Sequence, residues 1–319
     1  MNRRLSNAYG ASLSTASSLL RTGYNPDRTL LLSSSPRSGS TWLMNIVATL
    51  PGSCPIFEPL GSPDCPTQKE PRNPFPTLGA NEREPELARY MADVVRGARL
   101  SRWSSSHATI SQLLFSRRYV VKCVRAARMM GWIRARFPNN KAVILIRHPC
   151  AVVASIKKLP DASAWRDWFD PEWRKTGTGL SGPRSPAVAS AGRDETAIAA
   201  AWTRDTLALL SDTDPSDMLL MTYEQLVRSP GDALARLFDH LGTDAPGTAY
   251  RVHRAPSLTA NAGAAILRGE DPLTSWRGSL DPAIAEQVIN VCRSRGVDAY
   301  DLSPEPDYGR LDTLHRDLG

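Results

Sequence analysis

The chain has 319 residues, enough for one large domain or two small ones. Apolar residues make up 41%, so a substantial core can be buried and general disorder is excluded. The net charge of +7 predicts an affinity for anions, and all but six of the 39 basic residues are Arg, the side chain suited to bidentate recognition of phosphate and sulfate. No repeat period is visible, which excludes collagen, coiled-coil and solenoid architectures.

The five cysteines, at 54, 65, 123, 150 and 292, form no CxxC or Cys/His cluster, so no zinc site is expected. A disulfide between Cys54 and Cys65 would close a loop, but free buried thiols in a reducing compartment are the expectation. No apolar run approaches the ~18 residues of a membrane span. The Met-Asn-Arg-Arg start is followed by Ser, Asn and Gly and makes a poor signal peptide. A soluble, cytoplasmic protein is expected.

In chain order, residues 1–27 read as a polar arm and 28–319 as a single α/β domain. Thr29 to Leu32 is a short apolar run of buried-strand type. A small-residue loop from Ser33 to Thr41 follows, then a helix with Leu43, Ile46, Val47 and Leu50 at helical spacing, ended by Pro51-Gly52. Cys54 to Phe57 is a second short strand. Residues 59–85 are Pro-rich and read as a long irregular loop, a kind that is usually functional or disordered. Helical spacing resumes near Leu87. Tyr119 to Cys123 is a strand, and Ala126, Met129, Ile133 and Phe137 mark a helix. Ala142 to Ile146 is the strongest strand, and His148-Pro149 opens a helix with Pro at its first position.

Residues 160–194 are again irregular and carry Trp165, Trp168 and Trp173, which either stack on sugar faces or pack the loop. A helix with Ile198 and Trp202 precedes the strand Met218 to Met221. Helices follow Ser229-Pro230 and Asp281-Pro282. Apolar strands alternating with amphipathic helices predict a P-loop-like central parallel sheet flanked by helices. Ligands in such folds bind outside the carboxyl ends of the strands, which directs attention to the loops after Leu32, Phe57, Ile146 and Met221.

The first of these loops, Pro36-Arg37-Ser38-Gly39-Ser40-Thr41-Trp42, suits an anion. A helix start offers free N–H groups and a positive dipole end, Gly39 permits close approach, and Arg37 adds a full charge. It has only one Gly and no Lys before Ser/Thr, unlike the nucleotide-hydrolase loop, which disfavours a magnesium-ATP kinase, the alternative enzyme class. A second segment, Arg147-His148-Pro149 to Ser155, also leaves a strand tip.

Together these two segments resemble the sulfotransferases that use 3′-phosphoadenosine 5′-phosphosulfate (PAPS). The first is similar to that family's 5′-phosphosulfate loop. The second is similar to its 3′-phosphate site, with Arg147 and Ser155 at the family's spacing. Thr222-Tyr223-Glu224-Gln225-Leu226 and Trp276-Arg277-Gly278 resemble two further family segments. Phe57-Glu58-Pro59 and Lys122-Cys123-Val124-Arg125 look like those of the carbohydrate sulfotransferases, whose eukaryotic members carry a membrane anchor. The resemblance therefore points to a bacterial-type soluble member.

The resemblance implies transfer of a sulfuryl group from PAPS to a hydroxyl of a sugar or glycolipid, leaving adenosine 3′,5′-bisphosphate (PAP). A phenol or a peptide Tyr are the alternative acceptors. It implies that Arg37, Ser38, Gly39, Ser40 and Thr41 hold the 5′-phosphate, and that Arg147 and Ser155 hold the 3′-phosphate. Trp42 and Tyr223 would flank the adenine, and Arg277 would close over the 3′-phosphate. Glu58 is the expected general base, with His107 its rival; His148 lies on the cofactor side and is a poor base. Lys122 would reach the sulfuryl oxygens or pair with Glu58. The basic residues are scattered rather than interleaved with aromatics, so no nucleic-acid partner is expected.

Overall fold

A computed structural model of the chain describes residues 23–70, 72–159, 168–169, 193–211, 218–255 and 269–319. Five strands form one parallel sheet: β1 (Leu30–Ser34), β2 (Ser53–Phe57), β3 (Arg118–Lys122), β4 (Ala142–Ile146) and β5 (Met218–Thr222), in the order β2-β3-β1-β4-β5. Central β1 sets Leu32 against Lys122 of β3 on one side and Val143 of β4 on the other.

Strand side chains alternate between the two faces, and both faces are apolar. Leu30, Leu32, Val120, Val143 and Leu145 point to one layer, where they meet α1 (Ser40–Val47) and α8 (Pro230–His240) through Leu43, Ile46, Leu234 and Phe238. Leu31, Val121, Ile144 and Ile146 point to the other layer. That layer holds α2 (Pro85–Val95), α4 (Met130–Arg136), α5 (Pro149–Lys157), α6 (Arg193–Ser211) and α10 (Pro282–Ser294). The remaining helices are α3 (Ile110–Phe115), α7 (Tyr223–Arg228), α9 (Gly247–Arg254) and α11 (Tyr308–Leu318). Apolar side chains on both sheet faces account for the continuous hydrophobic runs of the strands.

Strand β4 falls on the residues the sequence predicts. Strand β1 runs two residues further than its apolar run, through Ser33 and Ser34. These serines are buried because their hydroxyls are satisfied: Ser33 Oγ donates to the Cys123 carbonyl at 2.9 Å, and Ser34 Oγ lies 2.9 Å from Ser40 Oγ. The helix expected from Ala126 to Phe137 is two pieces, a 3-10 segment Val124–Met129 followed by α4. The Pro-rich loop contains the 3-10 turns Pro59–Gly61 and Pro66–Gln68.

All five cysteines are free, buried thiols. The expected arm lies outside the described residues up to position 22. Beyond it, Tyr24 is docked, its hydroxyl donating to the Val95 carbonyl at 2.7 Å. Trp165, Trp173 and most of the loop 160–194 also lie outside the described residues. Trp168 is described and fully buried, with Nε1 donating to Asp205 Oδ2 at 2.6 Å, which removes it as a surface for sugar stacking. Among the described residues, no helix is long and apolar enough to cross a membrane.

Candidate active site

Because all five strands are parallel, the loops after β1, β2, β3, β4 and β5 emerge at one edge of the sheet. The loop after β1 turns sharply into α1. Gly39, at the N-cap, has φ 94°, and Arg37 before it has φ 65°. A Cβ on Gly39 would lie 2.8 Å from Cδ2 of Tyr223, so glycine is required both by the backbone and by the neighbour. Ser38, Ser40 and Thr41 are buried beneath this turn, and Ser38 Oγ has no hydrogen-bond partner.

The loop after β4 comes against it. Arg37 Nε donates to Ser155 Oγ at 3.1 Å, and Arg147 Nη1 donates to the Arg37 carbonyl at 3.2 Å. The guanidinium of Arg147 lies over the Tyr223 ring, 4.2 Å from its centroid, while its Nε has no hydrogen-bond partner. Burial, and then the charge of Arg147, lower the pKa of Arg37. Two guanidiniums thus share a partly buried space, an arrangement that an anion would relieve. Tyr223 packs against Trp42 with ring centroids 5.5 Å apart, and Trp42 against His253 at 4.8 Å. Trp42 is largely buried, with Nε1 donating to the His253 carbonyl at 3.1 Å.

His148 caps α5. Its Nδ1 accepts the Cys150 N–H at 3.2 Å, so the ring proton sits on Nε2, which donates to the Asp301 carbonyl at 2.9 Å. Burial pushes its pKa down to about 4, so the ring is neutral and fully used in structure. Trp276 stacks on it with centroids 5.0 Å apart, which brings the Trp276-Arg277-Gly278 segment beside the β4 loop. Arg277 itself is exposed, donating through Nη2 to the Leu302 carbonyl at 2.8 Å.

On the other side of β1, Glu58 follows β2 with φ 44°. Its carboxylate is a buried hub. Oε1 accepts from Lys122 Nζ at 2.7 Å and from the Val124 N–H at 2.9 Å, and Oε2 accepts from Arg125 Nη1 at 3.3 Å. Burial alone would raise the Glu58 pKa, but Lys122, Arg125 and these hydrogen bonds outweigh it and hold the carboxyl below its ordinary value. Lys122 Nζ lies 4.7 Å above the Phe57 ring, and His107 packs on Phe57 with centroids 4.4 Å apart. Burial and then the Lys122 charge lower the His107 pKa, and its Nδ1 is buried without a partner. Trp103 completes the cluster. It is 44% exposed, and its Nε1 donates to the Glu58 carbonyl at 3.0 Å.

A family model described as "Sulfotransferase family" matches residues 30–247, which holds β1 to β5 and every loop just described except the Trp276 segment. The chain belongs to the sulfotransferase family. No curated protein matches it in sequence. Solved structures similar to this sulfotransferase include the sulfotransferase domain from the curacin biosynthetic pathway, at 18% identity, covering 93% of this chain and 98% of that one, with a TM-score of 0.43. The sulfotransferase domain of the Synechococcus PCC 7002 olefin synthase is 22% identical, covering 89% of this chain and 98% of that one, TM-score 0.43. A mouse sulfotransferase complexed with PAP is 11% identical, covering 96% and 95%, TM-score 0.46.

The structure brings together the predicted residues in two groups. Arg37 to Trp42, Arg147, Ser155 and Tyr223 form one, and Glu58, Lys122 and His107 the other. Sequence reasoning passed over Trp103, which sits in a Ser-rich stretch without periodicity. It also gave no role to Glu224, whose buried carboxylate accepts the His148 N–H and whose only signal in the sequence is its place just after a strand end.

Proposed function

We propose that this sulfotransferase binds PAPS across the loops after β1 and β4 and moves its sulfuryl group to a hydroxyl of a carbohydrate or glycolipid. The observation that carries this reading is the meeting of Arg37, Arg147 and Ser155. Three features of the site fit a bisphosphorylated nucleotide: the orphaned Ser38 hydroxyl, the unpartnered Arg147 Nε, and a turn that admits no Cβ. Arg37, Ser38, Gly39, Ser40 and Thr41 would hold the 5′-phosphate, Arg147 and Ser155 the 3′-phosphate. Trp42 and Tyr223 would flank the base, and Arg277 would border the site beside Trp276.

When bound, PAPS supplies an activated sulfuryl group with a good leaving phosphate. The chain supplies position and charge. Arg37 would neutralise the negative charge that grows on the leaving phosphate. Lys122, held by Glu58, would meet the sulfuryl oxygens. The two candidate bases differ in their surroundings. Glu58 is held ionised by three donors and is a weak base, whereas the His107 ring is neutral at pH 7 and, with only Nδ1 sealed in, has Nε2 to accept a proton. We therefore assign His107 as proton acceptor and Glu58 as the group that fixes Lys122 and Arg125. The exposed Trp103 face beside them suits the apolar side of a sugar ring, which supports a carbohydrate acceptor.

The test is isothermal titration of PAP and of 5′-AMP without magnesium. Tight PAP binding with weak AMP binding is expected, and Arg147→Ala should erase the preference. Equal binding of both nucleotides by the wild type would refute the two-phosphate site.

A further inference from the structure

Glu224 opens α7, next to Tyr223, and is buried to 1% exposure. Its Oε1 accepts the backbone N–H of His148 at 2.9 Å, so the carboxylate holds the peptide that directly follows Arg147. Its Oε2 and the hydroxyl of Tyr300 are both buried without a hydrogen bond of acceptable geometry. A carboxylate with one oxygen satisfied and the other enclosed, met only by the poorly aligned Tyr300 phenol, is poorly solvated as an anion.

We propose that Glu224 is a positioning residue for the 3′-phosphate loop, and that an anion arriving at Arg147 is accompanied by proton uptake at Glu224 Oε2. This inference rests on the proposed PAPS site. The charge logic is direct. Arg147 is the main cation acting on the Glu224 carboxylate. A phosphate that takes up the field of Arg147 leaves the carboxylate without its counter-charge, and a proton then replaces it. The remaining groups facing Glu224 do not supply a second cation. His148 is neutral, and Tyr300 is a phenol pushed well above its ordinary pKa by burial and by this carboxylate. Tyr308 of α11 is likewise raised by burial, and Glu305 adds repulsion. Burial already lifts the Glu224 pKa to about 7, against the opposing His148 hydrogen bond and the Arg147 charge. Loss of the Arg147 charge lifts it further. By linkage, PAP must bind more weakly as pH rises above about 7.

The experiment is PAP titration at pH 7.0, 7.75 and 8.5, a range (~7 to 8.5) in which phosphate monoesters, with a second pKa near ~6, are already ionised. For the wild type, Kd should rise about fivefold or more across the range. Glu224→Gln keeps the acceptor for His148 and mimics the protonated form. Its Kd should stay flat within about twofold and be tighter than wild type at the highest pH. A purely structural role predicts the opposite, weaker binding by the variant at every pH. If Glu224→Gln fails to fold, wild-type titrations in two buffers of different ionisation enthalpy at the middle pH decide. Uptake of about half a proton or more is expected, and zero uptake or release overturns the proposal. A flat wild-type profile with PAP still bound overturns the Glu224 proposal alone. Absence of PAP binding at any pH overturns the site reading and this inference with it.

Discussion

At the residue scale, the site depends on positions where one atom decides the outcome. Gly39→Ala adds a left-handed alanine at about 1–2 kcal/mol and drives a methyl into Tyr223. PAP affinity should fall at least tenfold by titration, with only a modest loss of thermal stability. Glu58 makes a contrasting case. Removing it leaves Lys122 and Arg125 buried without their shared partner, a loss of about 3–5 kcal/mol. Glu58→Ala should therefore lower the melting temperature markedly, whereas His107→Ala should leave stability and PAP binding near wild type and abolish turnover. If His107→Ala keeps its turnover, the base is elsewhere. The sign of the pH effect follows from the depressed Glu58 pKa. Its stabilisation is present above the ordinary glutamate range and is lost as pH falls through the lower folded value, so acid unfolding should be less steep in Glu58→Gln.

At the element scale, strands and helix starts do the positioning. Thr222 and Gln225 form a capping box at the start of α7, with Gln225 N–H donating to Thr222 Oγ1 at 3.1 Å. The residues directly after Thr222 are Tyr223 and Glu224, so this cap sets where both side chains point. Thr222→Ala should cost about 1 kcal/mol and weaken PAP binding with it, measured by thermal melts and titration. The same scale shows what could be read in advance. Strand β4 was legible because five apolar residues in a row, three of them β-branched and set off by Pro138-Asn139-Asn140, favour a strand covered on both faces. The last two residues of β1 were not, because Ser33 and Ser34 look like loop until the acceptors for their hydroxyls are known. The paired loops after β1 and β4 were legible from local motifs. The contact between Arg37 and Ser155 joins positions 118 residues apart and lies beyond any local pattern. Nor does local sequence distinguish Trp168, locked on Asp205, from Trp103, which offers its face to solvent.

At the scale of the whole molecule, charge and topology act together. The net charge of +7 predicts attraction of a highly anionic nucleotide from a distance. Association of PAP, followed by stopped-flow fluorescence of the Trp42 region, should slow as salt is raised from ~0.05 to ~0.5 M. An unchanged rate would leave encounter to the local site alone.

Central β1 is made early in the chain, but both strands that flank it lie far downstream, at Arg118–Lys122 and Ala142–Ile146. During synthesis the loop after β1 therefore leaves the ribosome long before the strands that will support it. Contacts so distant in sequence make for slow folding, with the central strand's edges open until its neighbours are made. The proposed nucleotide site is then complete only when the sheet is, and PAP added during refolding should raise the yield of native protein by mass action rather than hasten the first collapse.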